Sequence, residues 1–178
     1  MVIHTSKTYE EELQNLRTRV MTMGGRAENQ VRMAVLSFSE DDLDMARRVI
    51  DTERDINKEQ LATDLLCSEI IARRQPAAKD LRLLLGVIRT ISDLERIADQ
   101  ADKIAKLTLR NEQRGSLPRV HGIFQSAEMA IDMLRNALDA FAREDGDTAR
   151  EVMSSDSKLD ELYIGSMRQL ITYMMEDP

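Results

Sequence analysis

The sequence is poor in residues that interrupt helices and in residues that build disulfide or metal frameworks. Of its 178 residues, 7 are Gly, 3 are Pro, 2 are His and 1 is Cys, and Trp is absent. The single Cys67 excludes an internal disulfide framework, and two histidines leave little for histidine-rich metal chemistry. No apolar run approaches the roughly 18 residues that a membrane span needs, and we expect no signal peptide. A cytoplasmic protein of one domain, or of two tightly packed halves, is therefore expected.

The charged residues carry no strong asymmetry along the chain. Asp and Glu number 32 against 25 Lys and Arg, a formal charge of -7. Neither half of the chain is basic, so no nucleic-acid partner is expected. The sequence is 42% hydrophobic, rich in strong helix formers, and lacks a useful stretch of period-two alternation, so the expected fold class is all-α.

Four clusters of turn residues divide the chain into helical segments. The clusters are Ser39–Asp42, Gln75-Pro76, Gly115–Pro118 and Asp145–Asp147, which combine helix-capping and helix-breaking residues. The turns are short, so consecutive helices should be antiparallel neighbours. We predict five long antiparallel helices, over residues 6–38, 43–74, 77–112, 118–144 and 147–176.

An internal repeat relates the two ends of the chain. A shift of 103 residues lays 27–56 on 130–159 without a gap, and such self-similarity is typical of duplicated helical units. The identical pairs include Ala27/Ala130, Ala34/Ala137, Phe38/Phe141, Asp44/Asp147 and Arg47/Arg150. We predict two three-helix-bundle (spectrin-like) repeats, a first over 1–112 and a second over 113–178 that has two helices and lacks its third.

In the third predicted helix, acidic residues continue the face that is apolar in the first turns of the helix. The seam of Leu84, Ile88 and Ile91 continues at helical spacing to Glu95 and Asp102, and Asp99 lies about 40° from Glu95. Carboxylates at core positions need basic partners or a metal ion. Lys103 and Lys106, each four residues after an aspartate, offer ordinary ion pairs as the alternative.

The predicted pairing of the helices places further oxygen ligands at the level of Glu95 and Asp99. A hairpin centred on the turn before Pro76 places Glu53 and Asn57 opposite Glu95 and Asp99, and the preceding hairpin brings Glu28 close. Clustered carboxylates without His or thiolate favour hard cations such as Mg, Mn, Fe or Ca. The sequence therefore predicts a metal site centred on Glu95 and Asp99, with contributions from Glu53, Asn57 and either Asp102 or Glu28.

These residues lie within a segment that resembles a known family. Arg74-Gln75-Pro76, Asp80-Leu81-Arg82, Leu94 through Asp99 and Asp102-Lys103-Ile104 resemble the signature helix of the PhoU family, whose members are phosphate-transport accessory and regulatory proteins. The opening Arg17 through Gly25 and the closing Arg168-Gln169-Leu170 and Tyr173 through Asp177 are also similar. The resemblance covers essentially the whole chain.

The resemblance implies metal-binding pairs in which an acid is followed four residues later by Asp. Glu95–Asp99 matches that pattern, Asp156–Asp160 matches its second-repeat equivalent, and Glu53–Asn57 has Asn in place of the second acid. A divalent or trivalent ion (Mg, Mn, Fe or Zn) is the implied cofactor. The second-repeat pair lacks the partner helix that would complete a second site.

The resemblance also implies a function. It predicts a non-enzymatic regulator that restrains the phosphate ABC transporter and the sensor-kinase pathway when phosphate is plentiful. The implied partners are the transporter's ATPase subunit and a phosphate-sensing histidine kinase, through which the protein would lie peripheral to the membrane. A metal-binding helical scaffold and a carboxylate-bridged metalloenzyme are the alternatives, and the missing Glu-x-x-His pairs oppose the second.

The last two helices carry apolar stripes that two helices alone do not cover. The stripes comprise Ile131, Leu134, Leu138, Phe141, Leu159, Ile164, Leu170 and Ile171. Leaving several such side chains in water would exceed the roughly 5–15 kcal/mol by which a domain is stable. We therefore expect residues 118–178 either to pack in a homodimer or to be loosely ordered.

Overall fold

The computed structural model describes residues 2–111 and 121–176, and the side chains of 7–111 and 122–175. Within these ranges the chain forms α1 (Val2–Glu40), α2 (Leu43–Arg74), α3 (Ala78–Asn111), α4 (His121–Arg143) and α5 (Gly146–Glu176). The predicted all-α class is confirmed, and only the start of α1 differs from its prediction by more than three residues. The predicted turn at Gly115–Pro118 lies outside the described residues. None of the described helices is long and apolar enough to cross a membrane.

The turn between α1 and α2 follows the expected capping sequence. Asp41 takes a left-handed conformation, with φ of 55°, which aspartate tolerates better than most residues. Asp42 is the N-cap of α2, and its carboxylate accepts a hydrogen bond of 2.8 Å from the backbone N–H of Met45. The N–H of Asp42 donates to the carbonyl of Ser37 at 3.0 Å, which closes the end of α1.

The turn between α4 and α5 has the same construction 103 residues later. Glu144 has φ of 54°, and the N–H of Asp145 donates to the carbonyl of Ala140 at 2.9 Å. The carboxylate of Asp145 caps α5 by accepting from the N–H groups of Asp147 and Thr148, and it also accepts from the Thr148 hydroxyl. The hydroxyl bond first, and then the two N–H bonds, lower the pKa of Asp145. The internal repeat therefore extends from the sequence to the backbone geometry of its turns.

Helices α1, α2 and α3 pack around a common core. Hydrogen bonds from Tyr9 to Asp80 (3.2 Å) and between Ser37 and Thr108 (3.5 Å) join α1 to α3 at a constant separation of 71 residues, so these two helices run parallel. Short turns make α2 antiparallel to both. The buried core comprises Leu13, Leu16, Val20, Met23, Ala27, Ile56, Cys67, Ile70, Leu84, Val87, Ile91, Leu94, Ala98 and, from α4, Leu138.

Helix α4 packs antiparallel against α1, and α5 packs against α4. Glu28 of α1 forms an ion pair with Arg135 of α4, and Arg17 of α1 forms one with Glu144, which directly follows α4. The apolar stripe of α4 joins the core, because Leu134 and Phe141 pack against it and Leu138 is part of it. The expectation that no other helix of the chain would cover the apolar stripe of α4 was wrong, because α1 packs against it. Among the described residues α5 contacts α4 alone.

Candidate functional site: the acidic face of α2 and α3

The acidic face comprises Glu53 of α2 and Glu95, Asp99 and Asp102 of α3. Asp102 is 5% exposed, while the other three are half-buried. The α3 seam explains this placement, since the positions that continue the core residues Leu94, Ala98 and Ala101 bring Asp102 inward with them. The predicted inward placement of an α3 carboxylate is therefore confirmed for Asp102.

The ammonium group of Lys106 is the cation closest to this buried carboxylate. Its Nζ lies 2.5 Å from Oδ2 of Asp102, whose side chain is 7% exposed. This hydrogen bond is the main reason that the pKa of Lys106 is raised, and the charges of Glu53 and Asp99 raise it further. Three carboxylates of the acidic face thus act on one ammonium group.

A second lysine of α3 pairs with Asp99. Lys103 Nζ lies 2.7 Å from Oδ2 of Asp99, but this pair is open to solvent, with side chains 58% and 43% exposed. Exposed pairs four residues apart contribute little to stability because water screens them. The two lysine pairs are the ordinary arrangement that the sequence offered as the alternative to a metal ion.

Glu28 lies apart from the acidic face. Its carboxylate accepts hydrogen bonds from Arg135 of α4 and Arg32 of α1. The bond to Arg135 is the main reason that the pKa of Glu28 is lowered. The predicted position of Glu28 beside Glu95 is therefore wrong, because α1 presents this residue to α4.

The remaining predicted ligands do not converge on the acidic face. Asn57 is exposed on α2, and Asp156 and Asp160 are exposed on α5. In the described part of the chain, no three His, Cys, Asp or Glu side chains lie together in a way that could hold a metal ion. With Lys106 in place the carboxylates form an ion-paired face and not a ligand set, so metal binding stays a prediction.

Comparisons with known proteins place this arrangement in a family. The PhoU domain family matches residues 20–108 and 123–178. The phosphate-specific transport system accessory protein PhoU of Edwardsiella tarda is 43% identical over 174 residues, which cover 98% of this chain and 72% of that protein. The chain belongs to the PhoU family.

Solved structures of PhoU proteins share the fold. The crystal structure of PhoU from Pseudomonas aeruginosa has a TM-score of 0.91 and 38% identity, covering 96% of this chain and 82% of that one. The phosphate transport system regulatory protein PhoU from Streptococcus pneumoniae has a TM-score of 0.87 and 26% identity, with 95% and 80% covered. The predicted PhoU resemblance is confirmed.

Helix α2 ends in two basic residues, Arg73 and Arg74, and both pair with an acid on α1. Glu12 of α1 accepts hydrogen bonds from Arg74 at 3.0 and 3.1 Å and from Arg73 at 3.3 Å, and the bond from Arg74 is the main reason that its pKa is lowered. The guanidinium of Arg74 also lies 5.9 Å from the ring centre of Tyr9. Through Glu12, both arginines therefore link α1 to the turn between α2 and α3.

Gln30 is a buried polar residue that the sequence analysis missed. It is 3% exposed, and its Nε2 donates to the carbonyl of Val49 at 3.2 Å, while Oε1 has no hydrogen-bond partner. The spacing of apolar residues in α1 could have predicted its burial, because the buried positions Val20, Met23 and Ala27 are followed at the same helical interval by position 30. Periodicity places a residue in the core whatever its polarity.

Proposed function

We propose that the protein is a non-enzymatic accessory regulator of phosphate-specific transport. The observation that carries the proposal is 43% identity, over 98% of this chain, to a phosphate-specific transport system accessory protein. In this role it restrains the phosphate ABC transporter and keeps the phosphate-starvation response off when phosphate is plentiful.

The partners that fit this role are the transporter's ATPase subunit and the phosphate-sensing histidine kinase. Long helices with charged outer faces supply extended surfaces for docking to proteins, and reactive groups are scarce. The single thiol, Cys67, is buried, and burial raises its pKa to about 11, so it is a poor nucleophile at neutral pH. We place the protein in the cytoplasm, at the membrane only through these partners.

Deletion of the gene tests the regulatory role. Under replete phosphate we expect both phosphate uptake and phosphatase expression to rise in the deletion strain, because the restraint on transporter and kinase is lost. Radiolabelled phosphate uptake and a phosphatase assay measure the two effects. A plasmid copy of the wild-type gene should reverse both, and an empty plasmid should reverse neither. Unchanged uptake and expression in the deletion strain would contradict the proposal.

We also propose that the protein is a homodimer paired through α5. Ile164, Met167, Ile171 and Met174 follow one another at intervals of three and four residues, and they are 40–72% exposed. This is the spacing of an a/d seam, which two helices bury against each other in a coiled coil. A second α5 is a self-complementary partner for such a seam, as a twofold interface requires.

Charges placed in this seam should separate the dimer. We expect Met167→Glu/Ile171→Glu to be a monomer at micromolar concentrations at which the wild-type chain is a dimer, because two unpaired carboxylates would be buried. Multi-angle light scattering measures the mass. Leu65→Glu on α2 is the control, since Leu65 is 65% exposed and lies outside α5. A wild-type chain that remains monomeric at these concentrations would refute the dimer.

A further inference from the structure

A cavity of about 410 Å³ lies where α1, α3 and the end of α4 meet. Its volume falls in the range of roughly 300–1,000 Å³ that is typical of small-ligand pockets. Leu13 of α1, Leu83 of α3 and Phe141 of α4 form its apolar wall, and each belongs to the core or packs against it. The four residues of the acidic face do not line this cavity, so it is a separate site.

Two cations of α3 line the cavity. Lys79 and Arg82 are three residues apart, which places them on one face of the helix. Neither has an ion-pair partner among the described residues. The pKa of Glu144 is lowered mainly by its hydrogen bond from Arg17, and the charge of Lys79 lowers it to a smaller extent.

The carboxylates that also line the cavity leave these two cations available. Asp80 accepts a hydrogen bond of 3.2 Å from the hydroxyl of Tyr9, and Glu144 pairs with Arg17. The third, Glu10, is exposed to solvent. Two cations therefore stand against one solvated carboxylate, and the site favours an anion.

Gly86 forms the wall of the cavity one turn beyond Arg82. A glycine in the interior of a helix costs stability relative to alanine, and close approach of another element is its usual reason. That reason does not apply to Gly86, because an added Cβ would meet nothing within 4 Å although the residue is only partly exposed. The space in front of Gly86 is the cavity itself.

We propose that this cavity binds a phosphate monoester whose organic part carries an aromatic ring. Such a phosphate has a charge of about −1.5 to −2 at neutral pH, which Lys79 and Arg82 together match, and an arginine can bind two phosphate oxygens at once. The organic part packs against Leu83 and Phe141, in the space that Gly86 leaves open. This site does not depend on whether the protein regulates phosphate transport.

Calorimetric titration of the full chain with AMP, adenosine and inorganic phosphate tests the ligand class. AMP carries both groups, whereas adenosine lacks the phosphate and inorganic phosphate lacks the ring. We expect AMP to bind with a Kd below about 1 mM, and at least about tenfold more tightly than either of the other two compounds. No binding of AMP at up to about 5 mM, or equal binding of AMP and one of the other compounds, would overturn the proposal.

The variant Gly86→Leu separates ligand binding from folding. A leucine side chain at this position occupies the cavity, so the affinity for AMP should fall at least about tenfold, whereas the melting temperature should not fall, because helix propensity rises. Gly25→Leu is the matched control. A Cβ at position 25 also meets nothing within 4 Å, but Gly25 does not line the cavity, and its affinity should stay within about twofold of wild type. Equal affinities of Gly86→Leu and wild type would show that AMP binds elsewhere and would refute the site.

The variant Arg82→Met tests the charge, and it also decides the matter if Gly86→Leu does not fold. We expect its affinity for AMP to fall at least about fivefold, through loss of a charge-assisted hydrogen bond, while adenosine binds as it does to wild type. Arg89→Met removes the same charge from an exposed position of α3 that does not line the cavity, so its affinity should stay within about twofold of wild type. An equal loss in Arg82→Met and Arg89→Met, or no loss in Arg82→Met, would contradict the assignment of the phosphate to this cavity.

Discussion

Replacing Ile91 by alanine should remove about 2–5 kcal/mol from the free energy of unfolding. Ile91 is 0% exposed and belongs to the core that α1, α2 and α3 share. The substitution removes buried methyl and methylene groups and leaves a cavity that the close-packed helices cannot fill. Because a domain of this kind is stable by roughly 5–15 kcal/mol, this single change should threaten folding at physiological temperature.

Urea unfolding followed by circular dichroism measures this loss. The midpoint should fall while the slope with denaturant stays constant, which indicates a change of stability and not of the unfolded state. Leu65→Ala is the control, because Leu65 is 65% exposed and its truncation should change stability by no more than about 0.5 kcal/mol. A loss below about 1 kcal/mol for Ile91→Ala would show that the core is loosely packed around this residue.

The sequence predicted the helices well because their boundaries depend on local chemistry. Asp42 caps α2 through its own carboxylate, and Gln75 ends the same helix in a left-handed conformation directly before Pro76. Such signals are complete within a few residues, so they can be read without knowledge of the tertiary structure. The bounds predicted for α2, α3 and α5 accordingly lie within one residue of those observed.

The sequence predicted the acidic face only in part because its geometry depends on contacts between helices. The inward position of Asp102 follows from the α3 seam, and its pairing with Lys106 follows from the interval of four residues. The surroundings of Glu28 depend on Arg135, which lies 107 residues away in the chain. Nothing in the periodicity of α1 showed that α4 would pack on that side.

The pair Gly24 and Gly25 inside α1 is a sequence signal for the close contact between α1 and α4. Gly24 is buried against α4, whereas Gly25 is exposed. A Cβ added at position 24 would lie 2.5 and 2.6 Å from the δ carbons of Leu138, whereas one added at position 25 would meet nothing within 4 Å. An isolated glycine in a helix costs stability, and close approach of another helix is a common reason for its presence.

Alanine at these two adjacent positions should therefore have different effects on the free energy of unfolding. We expect Gly25→Ala to stabilise the protein by up to about 1 kcal/mol through helix propensity alone. Gly24→Ala should be less stable than Gly25→Ala by about 1–3 kcal/mol, because Leu138 is 6% exposed and has little room to move away from the new methyl group. The loss should be concentrated where α4 meets α1.

Urea unfolding compares the two variants, and hydrogen exchange locates the effect. Amide exchange in α4 and α5 should accelerate more than exchange in α2 and α3 when Gly24 is replaced, since the contact with α1 joins α4 and α5 to the core. Shortening the opposing side chain provides the decisive control. In Gly24→Ala/Leu138→Ala the added methyl group has space, so the two substitutions together should cost less than the sum of their separate effects. Strict additivity, or equal stability of Gly24→Ala and Gly25→Ala, would mean that close packing of α1 on α4 does not depend on a glycine at position 24.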